Sequence, residues 1–201
     1  MKNESNDIEE NLAKEAVINF FEKVHEIGPE LRSAIKSNSY LLKVKKKHIL
    51  LDLGKVQKCI YFVISGAVRS YYLDSLGKQT TSWLLFEGDL VISVYSFFSQ
   101  KASFEKLEAL EDSILLVLSY NNLMFLYNTF PEFNFIGRVL TETYYIKSEE
   151  KANELRVLSA KERYLNLIKK KPGILNRVSL GIVSSYLGIT QSTLSRIRGK
   201  E

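Results

Sequence analysis

Glycines fall at Gly54, Gly66, Gly77 and Gly88, at intervals of 12, 11 and 11 residues, and this spacing constrains the fold more than any other feature of the 201-residue chain. Between and after them run short segments rich in Val, Ile, Tyr, Phe and Thr: Cys59–Ile64, Ala67–Leu73, Thr80–Phe86 and Ile114–Leu118. Such residues fit a pleated, half-buried surface, and a turn glycine at each interval predicts short antiparallel strands in a sandwich or barrel-like roll. Asp74-Ser75-Leu76-Gly77 reads as a hairpin loop whose glycine takes the positive φ. No long helical pattern interrupts these strands, which excludes a parallel α/β sheet. Eleven Tyr and eleven Phe are consistent with a core built partly of aromatic strands.

Helical periodicity lies on both sides. Residues 1–10 are polar and are expected to fray. From Leu12 to Ile27 the apolar residues recur at three- and four-residue steps, predicting an amphipathic helix closed by Gly28-Pro29, with a short second helix near Glu30–Lys36. Helical signals return at Asn121–Thr129. Pro131 then opens a long helix to about Leu158, some 40 Å at 1.5 Å per residue. Its first half carries Phe133, Ile136, Val139, Leu140, Thr143 and Ile146 at heptad-like steps. That stripe is expected to form a dimer seam against a second copy, or to pack on the sheet of its own chain.

The segment LGIVSSYLGITQSTLSRIRG, Leu180 to Gly199, has the marks of a helix-turn-helix. Ser184 is the small residue at the helix crossing and Gly188 the turn glycine, while Val183, Leu187, Ile189, Leu194 and Ile197 lock the pair. Ser179 and Thr190 are positioned to cap the two helices through their hydroxyls. With Leu194 and Ile197 inward, the second helix shows Gln191, Ser192, Ser195, Arg196 and Lys200 outward, with Arg198 toward the flank. Arg pairs with guanine, Gln with adenine, and hydroxyls bond phosphate, so this face suits duplex DNA. The charge agrees. From Ser159 onward there are nine basic and two acidic residues, leaving the rest of the chain mildly acidic. A basic tail on an acidic body suits phosphate binding. Lys169–Lys171 and Arg177 are weaker candidates for backbone contacts.

Other classes find little support. No Ser/His/Asp or Cys/His set and no phosphate-binding glycine loop is present, so an enzyme is not expected. Cys59 is the single cysteine, set in the apolar run CIYFVI, and neither it nor the isolated His25 and His48 suggests a metal or cofactor. The apolar runs are too short to span a bilayer, and the polar N-terminus predicts no signal peptide and a cytoplasmic protein. The competing expectation is a small-molecule sensor whose C-terminal helical hairpin docks a protein.

In its order of parts the chain resembles the cyclic-AMP receptor protein/FNR (Crp/Fnr) family of bacterial regulators, in a divergent branch. The resemblance rests on the glycine-punctuated strands, FPEF (Phe130–Phe133) opening the long helix, ITQSTLSRIR, EGD (Glu87–Asp89) and EALEDS (Glu108–Ser113), and runs from about residue 15. It implies an α+β fold: a cyclic-nucleotide-binding-like β-roll (jelly roll) over 1–130, a long dimerisation helix over 131–158, and a helix-turn-helix domain over 159–201. It further implies a homodimer on a palindromic duplex, with RNA polymerase as a further partner and a small-molecule effector of unknown identity. By the resemblance, Gly88-Asp89 stands for the family's Gly-Glu pair and Ala102-Ser103 for its Arg-Ser pair, with Lys101 alongside. Ala102 lacks the guanidinium fork that a cyclic phosphate needs, and Lys101 supplies charge without the fork, so a standard cyclic-AMP site is not expected. Gln191, Ser192 and Arg196 occupy the positions that contact bases in the family. A wing is expected around Gly173–Val178 or not at all.

Overall fold

The computed structural model describes residues 2–199, which form eight strands and nine helices. Two helices lead, α1 (Lys2–Glu22) and α2 (Pro29–Asn38). Strands β1 (Ser39–Val44), β2 (Ile49–Leu51), β3 (Cys59–Ser65), β4 (Val68–Leu73), β5 (Gln79–Leu85) and β6 (Leu90–Val91) follow. Then come helix α3 (Val94–Ser99) and strands β7 (Glu105–Ala109) and β8 (Ser113–Ser119). The chain ends in α4 (Tyr120–Thr129), α5 (Pro131–Val157), α6 (Ala160–Lys170), α7 (Ile174–Arg177), α8 (Leu180–Tyr186) and α9 (Gln191–Arg198).

The strands make two antiparallel four-stranded sheets, ordered β1-β8-β3-β6 and β2-β7-β4-β5. The expected β-roll is therefore present. Period-two alternation turns Tyr61, Val63, Val91, Leu115 and Val117 of one sheet toward Leu51, Val68, Leu107 and Ala109 of the other, and these form the interior. The strands absent from the sequence reading are β1, β2, β6 and β7, which are short or mixed in composition. At the β3–β4 turn Gly66 has φ +105°, and a Cβ there would meet Ser113 Cα at 2.7 Å.

Helices α1, α2, α4 and the start of α5 cover the outer face of the first sheet. Val17, Phe21, Leu31, Ile35, Leu126, Phe133 and Ile136 pack there on Phe62 and Leu116. Gly28-Pro29 does not close the first helix, which ends at Glu22; Pro29 instead opens α2, where its fixed φ and missing N–H cost nothing. The second sheet keeps β5 at its edge, and there the C-terminal helices dock. Tyr164, Leu167, Ile174, Val178, Val183, Leu187 and Leu194 form one apolar cluster with Ala67, Leu84, Phe86 and Leu110 of the roll. No wing occurs at Gly173–Val178, because residues 174–177 form the short helix α7.

Candidate nucleic-acid interface

Helices α8 and α9 are held by the residues the motif predicts. Val183, Ser184, Leu187 and Leu194 are buried, and Gly188 takes φ +67° between the helices. A side chain at that φ is strained, so glycine suits the turn. Thr190 caps α9, its Oγ1 accepting from Thr193 N at 3.1 Å. Ser179 is the N-cap residue of α8 but its hydroxyl makes no capping bond; the helix opens on its carbonyl, which accepts from Ile182 N and Val183 N.

Burial of Leu194 fixes the rotation of α9, so that Gln191, Ser192, Ser195, Arg196 and Arg198 are all exposed. Ser192 Oγ lies 2.9 Å from Thr190 Oγ1, and Arg196 reaches only Thr193 Oγ1, at 3.3 Å, so its guanidinium keeps most of its donors free. Arg196 and Arg198 fall in the last turn, where the helix dipole favours cations. Lys200 lies outside the described residues. The exposed face thus offers a planar cation, an amide and hydroxyls from one rigid helix.

The other cations divide. Arg177, a candidate for phosphate, is instead spent within the chain. It donates to Glu87 at 2.7 and 2.9 Å, to Glu111, and to Gly66 O at 3.1 Å, with its guanidinium 4.9 Å from the Phe86 ring centroid. The Arg177 hydrogen bonds hold the Glu87 carboxyl down at about 2 and raise the Arg177 pKa further. Lys171 pairs with Asp89 at 3.5 Å and Lys170 with Glu154 at 2.8 Å. Lys169 is exposed.

The four residues offered for an effector pocket are not brought together by any shared hydrogen-bonding partner. Gly88 and Asp89 form the β5–β6 turn, where Asp89 accepts from Phe86 N at 3.0 Å and faces Lys171 on the C-terminal side. Ser103 is buried elsewhere, beside Ser93 at 3.3 Å and bonded to Glu105 O at 2.8 Å. Lys101 joins through its carbonyl, which accepts from Ser96 Oγ at 2.7 Å. The polar group inside the roll is different: Ser82 donates to Ser70, and Ser70 to the Glu105 carboxylate. The alternation of β7 marks it, since Glu105 shares a face with Leu107 and Ala109.

On α5, the expected seam splits. Ile136 is fully buried within the chain, so it is removed from any seam; Val139 and Leu140 are half-buried, and Thr143 and Ile146 are exposed. Tyr145, Leu155 and Val157 are also exposed apolar residues of this helix, Leu155 on the side that faces the Gly188 turn. Among the described residues no group of three His, Cys, Asp or Glu could hold a metal, and no helix is long and apolar enough to cross a membrane.

Residues 41–130 match the cyclic nucleotide-binding domain family. Regulatory protein HlyX of Actinobacillus pleuropneumoniae is 27% identical over 170 residues, covering 78% of this chain and 69% of that protein. The structure of FixK2 from Bradyrhizobium japonicum superposes with a TM-score of 0.69 at 20% identity, covering 81% of this chain and 83% of that one. A protein of Eubacterium rectale assigned to the Crp/Fnr family of transcriptional regulators gives a TM-score of 0.71 at 17% identity, over 89% and 85% of the two chains.

Proposed function

We propose that the chain is a regulator of the Crp/Fnr type, a reading supported by its cyclic nucleotide-binding domain match and its likeness to HlyX and FixK2, and that it regulates transcription as a homodimer reading a two-fold symmetric duplex site with α9. One observation carries this reading: burial of Leu194 leaves Gln191, Ser192, Ser195 and Arg196 exposed together on a capped helix. A second copy supplies the matching helix, one DNA turn of about 34–36 Å away. The exposed half of the α5 stripe, with Thr143, Tyr145 and Ile146, is the seam. The long helix so joins the sensor of residues 1–130 to the reader of 159–201, in a cytoplasmic protein that works with RNA polymerase and is not an enzyme.

The roll is not a standard cyclic-AMP site. Ala102 brings no guanidinium beside Ser103, and the inward polar group centres on the Glu105 carboxylate, which repels a cyclic phosphate. Calorimetry with cyclic AMP should give no submicromolar binding; such binding would overturn this part. The reader itself is tested by selecting bound duplexes from a random library at several salt concentrations. A palindromic motif whose affinity falls steeply with salt is expected. Salt-sensitive binding without a motif reduces the function to a basic surface, and no binding at all returns the protein-docking alternative.

A further inference from the structure

Strand β5 is the open edge of its sheet, and an open edge presents unpaired N–H and C=O groups. Here two side chains from distant parts of the chain take up those groups. Ser185 of α8 accepts from Thr81 N at 2.9 Å and donates to Gln79 O at 3.0 Å, imitating with one hydroxyl the two bonds of a neighbouring strand. Lys151 of α5 donates from Nζ to Ser82 O. The same ammonium lies 3.7 Å from the Tyr186 ring centroid and 5.3 Å from that of Trp83. A single lysine thus touches the roll, the long helix and the first helix of the reader, while α9 stays exposed.

We infer that Ser185 and Lys151 are positioning residues, which hold the helix-turn-helix on the β5 edge in one orientation relative to α5 and so present α9 to DNA in a fixed pose. The inference rests on the DNA-reading role of α9. Its energetic sense is preorganisation: a reader already held in place loses less freedom on binding.

The cage around Lys151 also predicts a proton linkage. Burial pushes Lys151 down to about 7. The ionisable groups facing it are Glu154 on its own helix, Tyr144 stacked on Trp83, Arg163 and Lys170 of α6, and Tyr186 of α8; β5 brings none. Glu154 is engaged by Lys170 at 2.8 Å, and burial raises Tyr186 to about 12. His25, against Phe135, and His48, in the β1–β2 turn, stand apart. A docked lysine with a lowered pKa binds fewer protons than a released one. Docking is therefore weakest and flat below pH 7, and tightens up to about tenfold per pH unit from there toward the ordinary lysine value of about 10.4.

Trp83 is the only tryptophan in the chain, so its emission reports the cage directly. In the full-length protein the emission should change between pH 6 and 9 with a midpoint near 7. Lys151→Met, which keeps the length and removes the charge, should abolish that transition. Ser185→Ala should shift Trp83 toward solvent-like emission and weaken binding of the selected duplex about tenfold, although Ser185 is not on the reading face. A transition that survives in Lys151→Met overturns the inference, as does a Ser185→Ala protein with unchanged emission and unchanged duplex affinity. Trp83 titration as described in a protein that binds no duplex would sink the DNA-reading role and leave the clamp standing.

Discussion

Gly66 combines a positive φ with a backbone neighbour 2.7 Å from where its Cβ would stand, so neither rotation nor a side-chain shift makes room. Gly66→Ala should destabilise the protein by about 3 kcal/mol, read as a lower midpoint in urea denaturation. A change under about 1 kcal/mol would show that the β3–β4 turn yields. Arg196 is the corresponding residue for function. Arg196→Ala should cost about 1–3 kcal/mol in duplex affinity and relax selection at one base pair, measured by repeating the library selection. Equal loss on all sequences would make Arg196 a phosphate contact. The two residues differ in how they show themselves in a sequence. The outward positions of Gln191, Ser192, Ser195 and Arg196 on α9 follow from helical period and the apolar locks alone, and these four side chains are exposed. Arg177, a weaker candidate for phosphate in the same basic tail, is instead bound to Glu87 and Glu111, which lie 90 and 66 positions away.

At the scale of elements, that ion-pair group fastens α7 to the turns of the roll. Glu87 sits at about 2 because Arg177 hydrogen-bonds its charged form, below its usual 4.5. Its contribution to docking is therefore complete above about pH 4.5 and fades as pH falls toward 2. Both carboxylates are partly exposed, so solvent screens the effect. Protection of the α7 amides, corrected for the intrinsic pH dependence of hydrogen exchange, should fall on acidification from pH 5 to 3 in the native protein, and Glu87→Gln should show lowered protection already at pH 5. Indifference of α7 to the substitution would reassign its docking to the apolar cluster around Phe86. In the sequence Glu87 and Glu111 belong to the EGD and EALEDS segments, and nothing in their spacing couples them to Arg177. Helix α5 shows the same limit: its heptad-like stripe is legible, but the stripe serves two faces. Ile136 fills the intrachain core with Phe133 and Leu126, and only the later positions remain for a partner.

For the whole molecule, α5 carries the dimer proposal. Ile146 is 57% exposed and Tyr145 65%, far from the interior yet in line with the seam. Ile146→Glu places a charge on that surface and should shift the protein to monomer in sedimentation analysis, with loss of palindromic duplex binding but little change in the fold of the roll. A dimer that persists would place the seam elsewhere. A monomer that still reads the full site would remove the need for symmetry. On this proposal the same helix, which passes Lys151 beneath the reader, would set dimer geometry and reader orientation from different faces of one rod.

Local pattern was sufficient for the roll, for the long helix and for the face of α9 that points outward. Each follows from a periodicity of two or 3.6 residues, or from a turn whose backbone angle only a few residue types accept. Pairings between distant positions were beyond it. Asp89 met Lys171 rather than Ser103, Ser185 took the edge of β5, and Lys151 entered an aromatic cage. Charge and hydroxyl groups hydrogen-bond whatever the fold carries to them, so their partners are decided only when the strands and helices are packed.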